Sequence, residues 1–128
     1  MRPDGSDLRL LGEIGLMAAG RGMVREAEAI AAGFEAWRPE SALAGMIRAL
    51  GAMGRGRDEE AVRLLRRDAL RAEPDSADAK ALLGLALERA GYRQAAAAVL
   101  DPLASGDAGS AGGLARAVLE ARRGPTGG

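Results

Sequence analysis

Few side chains in this sequence have the chemistry of a catalytic or metal-binding group. Cysteine and histidine are both absent from the 128 residues, which excludes thiol nucleophiles, disulfides, imidazole proton transfer and Cys/His metal sites. Ser6, Ser41 and Ser76 each precede a predicted helix, where a hydroxyl caps the helix N-terminus. Lys80 follows Ser76 closely, but both fall at an ordinary helix start, so we do not interpret them as a Ser–Lys dyad. We therefore expect neither enzyme activity nor a cofactor.

Two further patterns have a structural explanation. The run Asp58-Glu59-Glu60 opens a predicted helix, where carboxylates interact favourably with the helix dipole. The tripeptides Gly20-Arg21-Gly22 and Gly54-Arg55-Gly56 are glycine-rich, but neither is followed by the Gly-Lys-Ser/Thr of a phosphate-binding loop. The sequence therefore predicts no metal site and no phosphate site at these places.

The composition predicts a helical protein. Apolar residues make up 48% of the chain but include only one Phe, one Trp and one Tyr, and alanine and leucine, which favour helices over sheets, supply most of the rest.

The 18 basic residues equal the 18 acidic ones, so charge favours neither nucleic acid nor an anionic membrane as a partner. The start of the chain is polar, and the uncharged stretch 14–20 is far shorter than the roughly 20 residues that span a bilayer. We expect a cytoplasmic protein without membrane insertion.

A repeat of the glycine-rich tripeptide divides the sequence. Gly20-Arg21-Gly22 recurs 34 residues later, and a third copy, Arg89-Ala90-Gly91, follows one residue out of step. An alanine stands five positions after each last glycine and a proline ends each unit: Ala27, Ala61 and Ala96, then Pro39, Pro74 and Pro102. This spacing predicts a helix, a turn closed by a left-handed glycine, and a second helix that approaches the first through a small alanine.

Six helices are predicted, and they cover residues 7–20, 23–36, 41–53, 58–72, 76–90 and 92–101. The sixth is short because Pro102 follows Ala96 by only six positions, and Asp75 or Ser76 is expected to cap the fifth. We divide the chain into a helical array over 1–103 and a C-terminal part over 104–128. That part consists of a Gly/Ala-rich linker over 104–113, a short helix over 113–123 and a disordered tail over 124–128.

The spacing resembles that of the tetratricopeptide repeat (TPR), whose unit carries Leu-Gly, a turn Gly, Ala and Pro at fixed offsets. The matching residues are Ile14-Gly15, Gly22, Ala27 and Pro39, then Arg48-Ala49, Gly56, Ala61 and Pro74, then Leu83-Gly84, Gly91, Ala96 and Pro102. The resemblance implies an all-α, TPR-like α-solenoid of about three helix pairs. Two departures are the early Trp, replaced by Leu11, Gly45 and Lys80, and Arg48 in place of Leu. The second leaves the register of the third helix open by one residue.

The third predicted helix indicates where a partner could bind. Arg48 is the only charged residue in 42–53, and apolar side chains surround this helix. One interpretation is a middle helix that is buried between its neighbours. The other is an apolar concave groove, because the first helix of each pair lines the concave side of such arrays. Family geometry places five residues toward that groove as partner-binding residues: Leu16, Met46, Leu50, Met53 and Leu85. An alanine core is thin, so we expect a partner helix, a homo-oligomer or both to cover the groove.

A narrower resemblance concerns bacterial type III secretion chaperones. Residues 10–16 (Leu-Leu-Gly-Glu-Ile-Gly-Leu) and 26–31 are similar to the start of the needle-subunit class, and 61–65 and 80–83 to a related TPR-like family from plant-pathogen secretion clusters. In the needle class, the concave face holds an amphipathic helix of the needle subunit and prevents premature polymerisation, and a small co-chaperone joins the complex. The resemblance implies a cytoplasmic chaperone for a secreted, self-assembling subunit. The alternative is a generic TPR scaffold in another bacterial complex.

Overall fold

The computed structural model describes residues 5–106 and 109–122, and every regular element in these residues is a helix. The seven helices are α1 (Gly5–Gly20), α2 (Val24–Trp37), α3 (Leu43–Gly54), α4 (58–72), α5 (Ala77–Ala90), α6 (Arg93–Ser105) and α7 (Gly109–Arg122). Within α4, an α-helical part Asp58–Leu64 continues through a π-helical turn Leu65–Ala69 into a last turn Leu70–Ala72. The all-α prediction is confirmed for this part of the chain.

Helices that follow each other in the chain pack against each other. α1 packs on α2, and both pack on α3; α3 packs on α4, and α4 on α5. α5 packs on α6, and α7 packs on both α5 and α6. Smaller contacts join α3 to α5. The architecture is therefore built from contacts between helices that lie close together in sequence.

Three turns between paired helices share one backbone geometry. Gly22, Gly56 and Gly91 have φ values of 77°, 75° and 94°, the left-handed conformation that glycine adopts without a Cβ clash. After each glycine, the next N–H bonds to a carbonyl five residues earlier: Met23 to Ala18 (2.8 Å), Arg57 to Ala52 (2.8 Å) and Tyr92 to Leu87 (2.9 Å). This pattern is the Schellman motif. The sequence prediction of a left-handed glycine at each turn is confirmed.

Small residues bring the helices close together. Ala27, Ala61 and Ala96 are 6%, 0% and 0% exposed. Larger aliphatic side chains occupy the space that glycines leave open: Leu43 lies over Gly12, Ile47 over Gly15 and Leu100 over Gly84. The backbones of α3 and α4 also meet, since a Cβ built on Gly45 would lie 2.6 Å from the backbone N of Ala69. The π-helical turn of α4 ends at this point of contact.

The predicted end of the sixth helix is wrong. α6 continues to Ser105 with Pro102 inside it. Pro102 has no N–H for the carbonyl of Ala98, but Ala98 is exposed, so that carbonyl can bind water. Leu100 is 0% exposed, and Leu103 packs against the same core cluster, so tertiary packing extends the helix past the proline.

The segment predicted as a linker contributes to two helices. Residues 104–105 end α6 and 109–113 begin α7, where Ala111 and Gly112 are buried. The terminal helix is thus longer than the short helix predicted over 113–123, and it packs on α5 and α6. The tail predicted over 124–128 lies outside the described residues.

Two of the predicted capping serines act as caps. The Ser76 hydroxyl accepts a hydrogen bond from the N–H of Ala79 at 3.1 Å, at the start of α5. The Ser41 hydroxyl accepts one from the N–H of Leu43 at 3.1 Å, at the start of α3. The side chain of Ser6 is outside the described part of the structure.

Three arginines tie successive helices together. Arg48 of α3 bonds to Glu28 and Glu35 of α2, both at 3.0 Å. Arg89 of α5 donates to Asp58 of α4 at 3.0 Å and to the carbonyl of Met53 in α3 at 3.1 Å. Arg122 of α7 pairs with Glu88 of α5 at 2.7 Å and donates to the carbonyl of Arg93 in α6 at 3.0 Å. In each case, one guanidinium group bonds to two groups at the edge of a contact between helices.

Replacement of Gly45 by Ala tests the close approach of α3 and α4. The new methyl group would meet backbone atoms of Ala69 at 2.6 and 2.9 Å, so we expect the free energy of unfolding in urea to fall by about 1–3 kcal/mol. Gly33→Ala in α2 is the matched control, because a Cβ there meets no atom within 4 Å. That control should raise stability by roughly 0.5–1 kcal/mol. Equal stabilisation by both variants would contradict the close contact.

Tyr92 offers a second test of helix positioning. Its hydroxyl donates a 2.9 Å hydrogen bond to Glu59 of α4, and this bond raises the pKa of Tyr92 above its ordinary value of 10.0. Because the folded-state pKa is raised, the bond's contribution to stability is present below pH of about 10 and is lost as the pH rises through the folded-state pKa. Tyr92 is the only tyrosine, so an absorbance titration of tyrosinate reports it alone. Glu59→Gln should return the midpoint toward 10.0, and an unchanged midpoint would show that the bond does not form.

Candidate functional site

The described residues contain no arrangement typical of a catalytic centre. In 5–106 and 109–122, no group of three or more acidic side chains is placed to hold a metal ion. Where burial is described, the fully buried residues include no polar or charged side chain. Where burial is described, the charged side chains therefore lie at least partly at the surface.

The five residues predicted to face a groove divide into two groups. Met46 and Met53 are 7% and 3% exposed and belong to the main core cluster. Leu16, Leu50 and Leu85 are half-buried and pack against that same cluster from outside. The structure therefore places all five around one cluster but leaves only the three leucines at the surface. The burial of the methionines agrees with the interpretation of α3 as a helix enclosed by its neighbours.

The three leucines occupy the same position in successive first helices. Leu16, Leu50 and Leu85 lie six residues before Gly22, Gly56 and Gly91, the turn glycines of α1, α3 and α5. We call these three residues the leucine ladder. Four positions further along each helix, Gly20, Gly54 and Arg89 are exposed, as expected for a face directed to solvent. Leu119 of α7, 34 residues after Leu85, is half-buried in the same way.

At one end of the leucine ladder, the neighbouring residues Gly20 and Gly54 are small and uncharged. A Cβ built on Gly20 would come no closer than 3.8 Å to Leu50, and one on Gly54 would come within 3.7 Å of the carbonyl of Ala19. The missing side chains leave room for an apolar group to approach Leu16 and Leu50. At the other end, Arg89 is held by Asp58. The leucine ladder can therefore bind through shape and apolar contact rather than through charge.

A cleft of about 270 Å³ lies between α2, α3 and α4, and it adjoins the leucine ladder at Ala19 and Gly54. Its walls include Val24, Ala27, Ile47 and Leu64, with Arg48 at its edge. The hydrogen bond to Glu28, and then the bond to Glu35, raise the pKa of Arg48 although partial burial opposes the shift. Because two carboxylates already bind its guanidinium, Arg48 acts as a tie between α2 and α3.

A second apolar surface lies on α1. Leu10, Ile14 and Met17 are 57%, 44% and 55% exposed, and their spacing of four and three residues places them on one face of the helix. We call these residues the outer stripe. Sequence reasoning missed this surface, although a signal was present: the outer stripe lies opposite Gly12 and Gly15, through which α1 packs against α3.

Charged substitutions distinguish the buried from the surface members of the predicted groove. Met46→Glu places a carboxylate in the core, where it has no partner, so we expect unfolding or a loss of several kcal/mol in the free energy of unfolding. Leu50→Glu places the carboxylate beside exposed Gly20, within reach of water. It should leave the protein folded, with a loss of about 1–2 kcal/mol. Urea denaturation followed by circular dichroism measures both, and equal stabilities would mean that Met46 lines an open groove.

Comparisons of this chain with family models, with curated proteins and with solved structures find no match. No described helix is long and apolar enough to span a membrane.

Proposed function

We propose that this chain is a TPR-like helical array that binds an amphipathic helix of a partner protein along the leucine ladder. The observation that carries the proposal is the recurrence of a half-buried leucine at one position of three successive helices: Leu16, Leu50 and Leu85. An isolated apolar residue at a surface is ordinary, but a row of them across packed helices offers a continuous contact line.

The repeated turns support the TPR-like arrangement. The Schellman motifs at Gly22, Gly56 and Gly91 are separated by 34 and 35 residues, the period of a TPR unit. Contacts between each helix and its sequence neighbours are also those expected of stacked helix pairs. In this arrangement α1, α3 and α5 are the first helices of three units, and α7 closes the end.

The dimensions of the leucine ladder match those of a helix. Closely packed helices have axes about 8–10 Å apart, so Leu16 and Leu50 on α1 and α3 are expected at about that interval, whereas α3 and α5 share only smaller contacts. On a bound helix, residues i and i+7 lie on one side and are separated by a rise of about 10.5 Å. A partner helix that crosses the array would therefore place one apolar residue against each of Leu16 and Leu50, and the next turns of that helix would extend toward Leu85.

Apolar contact supplies the binding energy in this proposal. Full burial of a leucine side chain contributes about 1.5–3 kcal/mol, so covering the part of each half-buried leucine that is still exposed contributes at most about 1 kcal/mol. Charge has a smaller part because the chain carries 18 basic and 18 acidic residues. The partner class is thus an amphipathic helix whose apolar face is otherwise exposed.

We propose further that the partner is a secreted subunit that assembles through this helix, and that the chain is its cytoplasmic type III secretion chaperone. The sequence resemblance supports this narrower proposal. Covering the apolar face of the subunit would prevent its polymerisation. The alternative, a generic TPR scaffold, is favoured by a separate observation: the outer stripe gives the molecule a second apolar surface, and two surfaces would let it join two components.

The test is affinity capture from the native cells, followed by reconstitution with the captured protein. The wild-type chain should bind the purified partner and keep it monomeric in light scattering. The double variant Leu50→Gln, Leu85→Gln should bind about tenfold more weakly, equivalent to about 1.4 kcal/mol. The expected cause is the loss of apolar contact at two points of the leucine ladder.

Val24→Gln is the matched control, since Val24 is 50% exposed on α2 and lines the neighbouring cleft but is not a member of the leucine ladder. Circular dichroism establishes that all variants remain helical. Partner binding that is insensitive to the double variant would contradict the proposed groove. A partner that binds through the leucine ladder but does not polymerise when alone would favour the scaffold over the chaperone.

A further inference from the structure

The outer stripe of α1 is an apolar surface that the proposed groove does not use. Leu10, Ile14 and Met17 are each about half exposed, at 57%, 44% and 55%. The opposite face of α1 is packed: Gly12 lies under Leu43, and Gly15 under Ile47. α1 therefore has two apolar faces, of which the fold covers one.

The equivalent faces of α3 and α5 are covered by a helix. Counting from the turn glycines, the positions of Leu10, Ile14 and Met17 correspond to Ala44, Arg48 and Gly51 in α3 and to Ala79, Leu83 and Ala86 in α5. Arg48 bonds to Glu28 and Glu35 of α2, and Ala44 belongs to a core cluster with Ala27 and Ala31 of α2. Ala79, Leu83 and Ala86 are 0%, 5% and 0% exposed, in a cluster with residues of α4. The equivalent faces of α3 and α5 are thus each covered by another α-helix.

The charges beside the outer stripe are compatible with a second copy of the same helix. Arg9 and Glu13, the charged neighbours on α1, lie 3.6 Å apart and pair within their own helix. Two copies brought face to face would therefore meet mainly through the outer stripe, with this ion pair beside the contact and exposed Arg21, four residues after Met17, at its end. An antiparallel arrangement also opposes the two helix dipoles favourably.

The spacing of the outer stripe is nearly symmetric about its centre. Ile14 lies four residues after Leu10 and three before Met17. In an antiparallel pair related by a two-fold axis near Ile14, Leu10 of each copy meets Met17 of the other, and the two Ile14 side chains meet each other. In an isologous contact of this kind, both copies use the same surface, so the assembly is complete with two copies.

We propose that the protein forms a homodimer through the outer stripes of two antiparallel α1 helices. α1 is 16 residues long, about 24 Å at 1.5 Å per residue, so the contact spans a few helical turns. Such a helix pair buries less than the roughly 1,200–2,000 Å² of a standard stable interface. The dimer therefore dissociates on dilution. The contact leaves the leucine ladder uncovered, so this inference is independent of helix binding there, but it uses the surface that the scaffold alternative would give to a second component.

Sedimentation equilibrium over a concentration series tests the dimer. The wild-type mass should rise from that of one chain to that of two. Ile14→Glu places two carboxylates at the centre of the contact and should weaken dimerisation by roughly 100-fold or more. Val24→Glu is the matched control, because Val24 is 50% exposed on α2, and it should dimerise as the wild type does. Both side chains are exposed, so circular dichroism should show unchanged helicity.

Disulfide trapping gives a second, geometric measurement. The chain contains no cysteine, so Ile14→Cys introduces a single thiol at the proposed two-fold axis, where two helices approach closely enough for a disulfide. Oxidation should link Ile14→Cys chains in pairs and leave Val24→Cys chains largely unlinked. A wild-type chain that stays monomeric at every concentration, an Ile14→Glu variant that dimerises normally, or equal crosslinking of the two cysteine variants would overturn the proposal. If Leu50→Gln lost partner binding but still dimerised, the dimer contact and the proposed partner groove would be two separate surfaces.

Discussion

Close approach of helix backbones is the constraint on which this structure depends. Of the 26 buried apolar residues in the described chain, 16 are alanines, so the core can be filled only if the helix axes come near each other. Glycines supply the shortest approaches, at Gly45 against the backbone of Ala69 and at Gly84 beneath Leu100. Each contact joins two helices that follow each other in the chain: α3 and α4, and α5 and α6. The contacts between packed helices fix the positions of α1, α3 and α5 relative to the helices between them, and with them the positions of the three leucines of the leucine ladder.

Charged residues orient the helices without entering the core. Arg48, Arg89 and Arg122, on α3, α5 and α7, each reach to the helices packed against their own helix, at partly exposed positions. Surface ion pairs contribute little to stability one at a time, but a guanidinium that bonds to two groups on one or two helices restricts how they slide or rotate. Arg89 illustrates this role, since it joins a carboxylate at the start of α4 to a carbonyl near the end of α3.

Local signals in the sequence predict much of this fold, whereas tertiary packing determines the rest. The left-handed glycines and the Ser76 cap follow from backbone rules that act over a few residues. Pro102 misled the prediction because the burial of Leu100, which no local rule contains, extends α6 beyond it. Residues 109–113 carry the composition of a linker, yet Ala111 and Gly112 are buried because their small size lets α7 approach its neighbours. In α3, apolar residues surround the helix, so the sequence could not separate buried Met46 and Met53 from half-buried Leu50.

The alanine core also determines how the protein responds to temperature. The heat-capacity change of unfolding grows with the apolar area that becomes exposed, and a buried methyl group exposes less area than the side chain of leucine or phenylalanine. With 16 alanines among its 26 buried apolar residues, this fold has a small heat-capacity change for its length. A small heat-capacity change flattens the curve of stability against temperature. We therefore expect the stability of this fold to change less with temperature, cooling included, than the stability of a fold of the same length with an aromatic core.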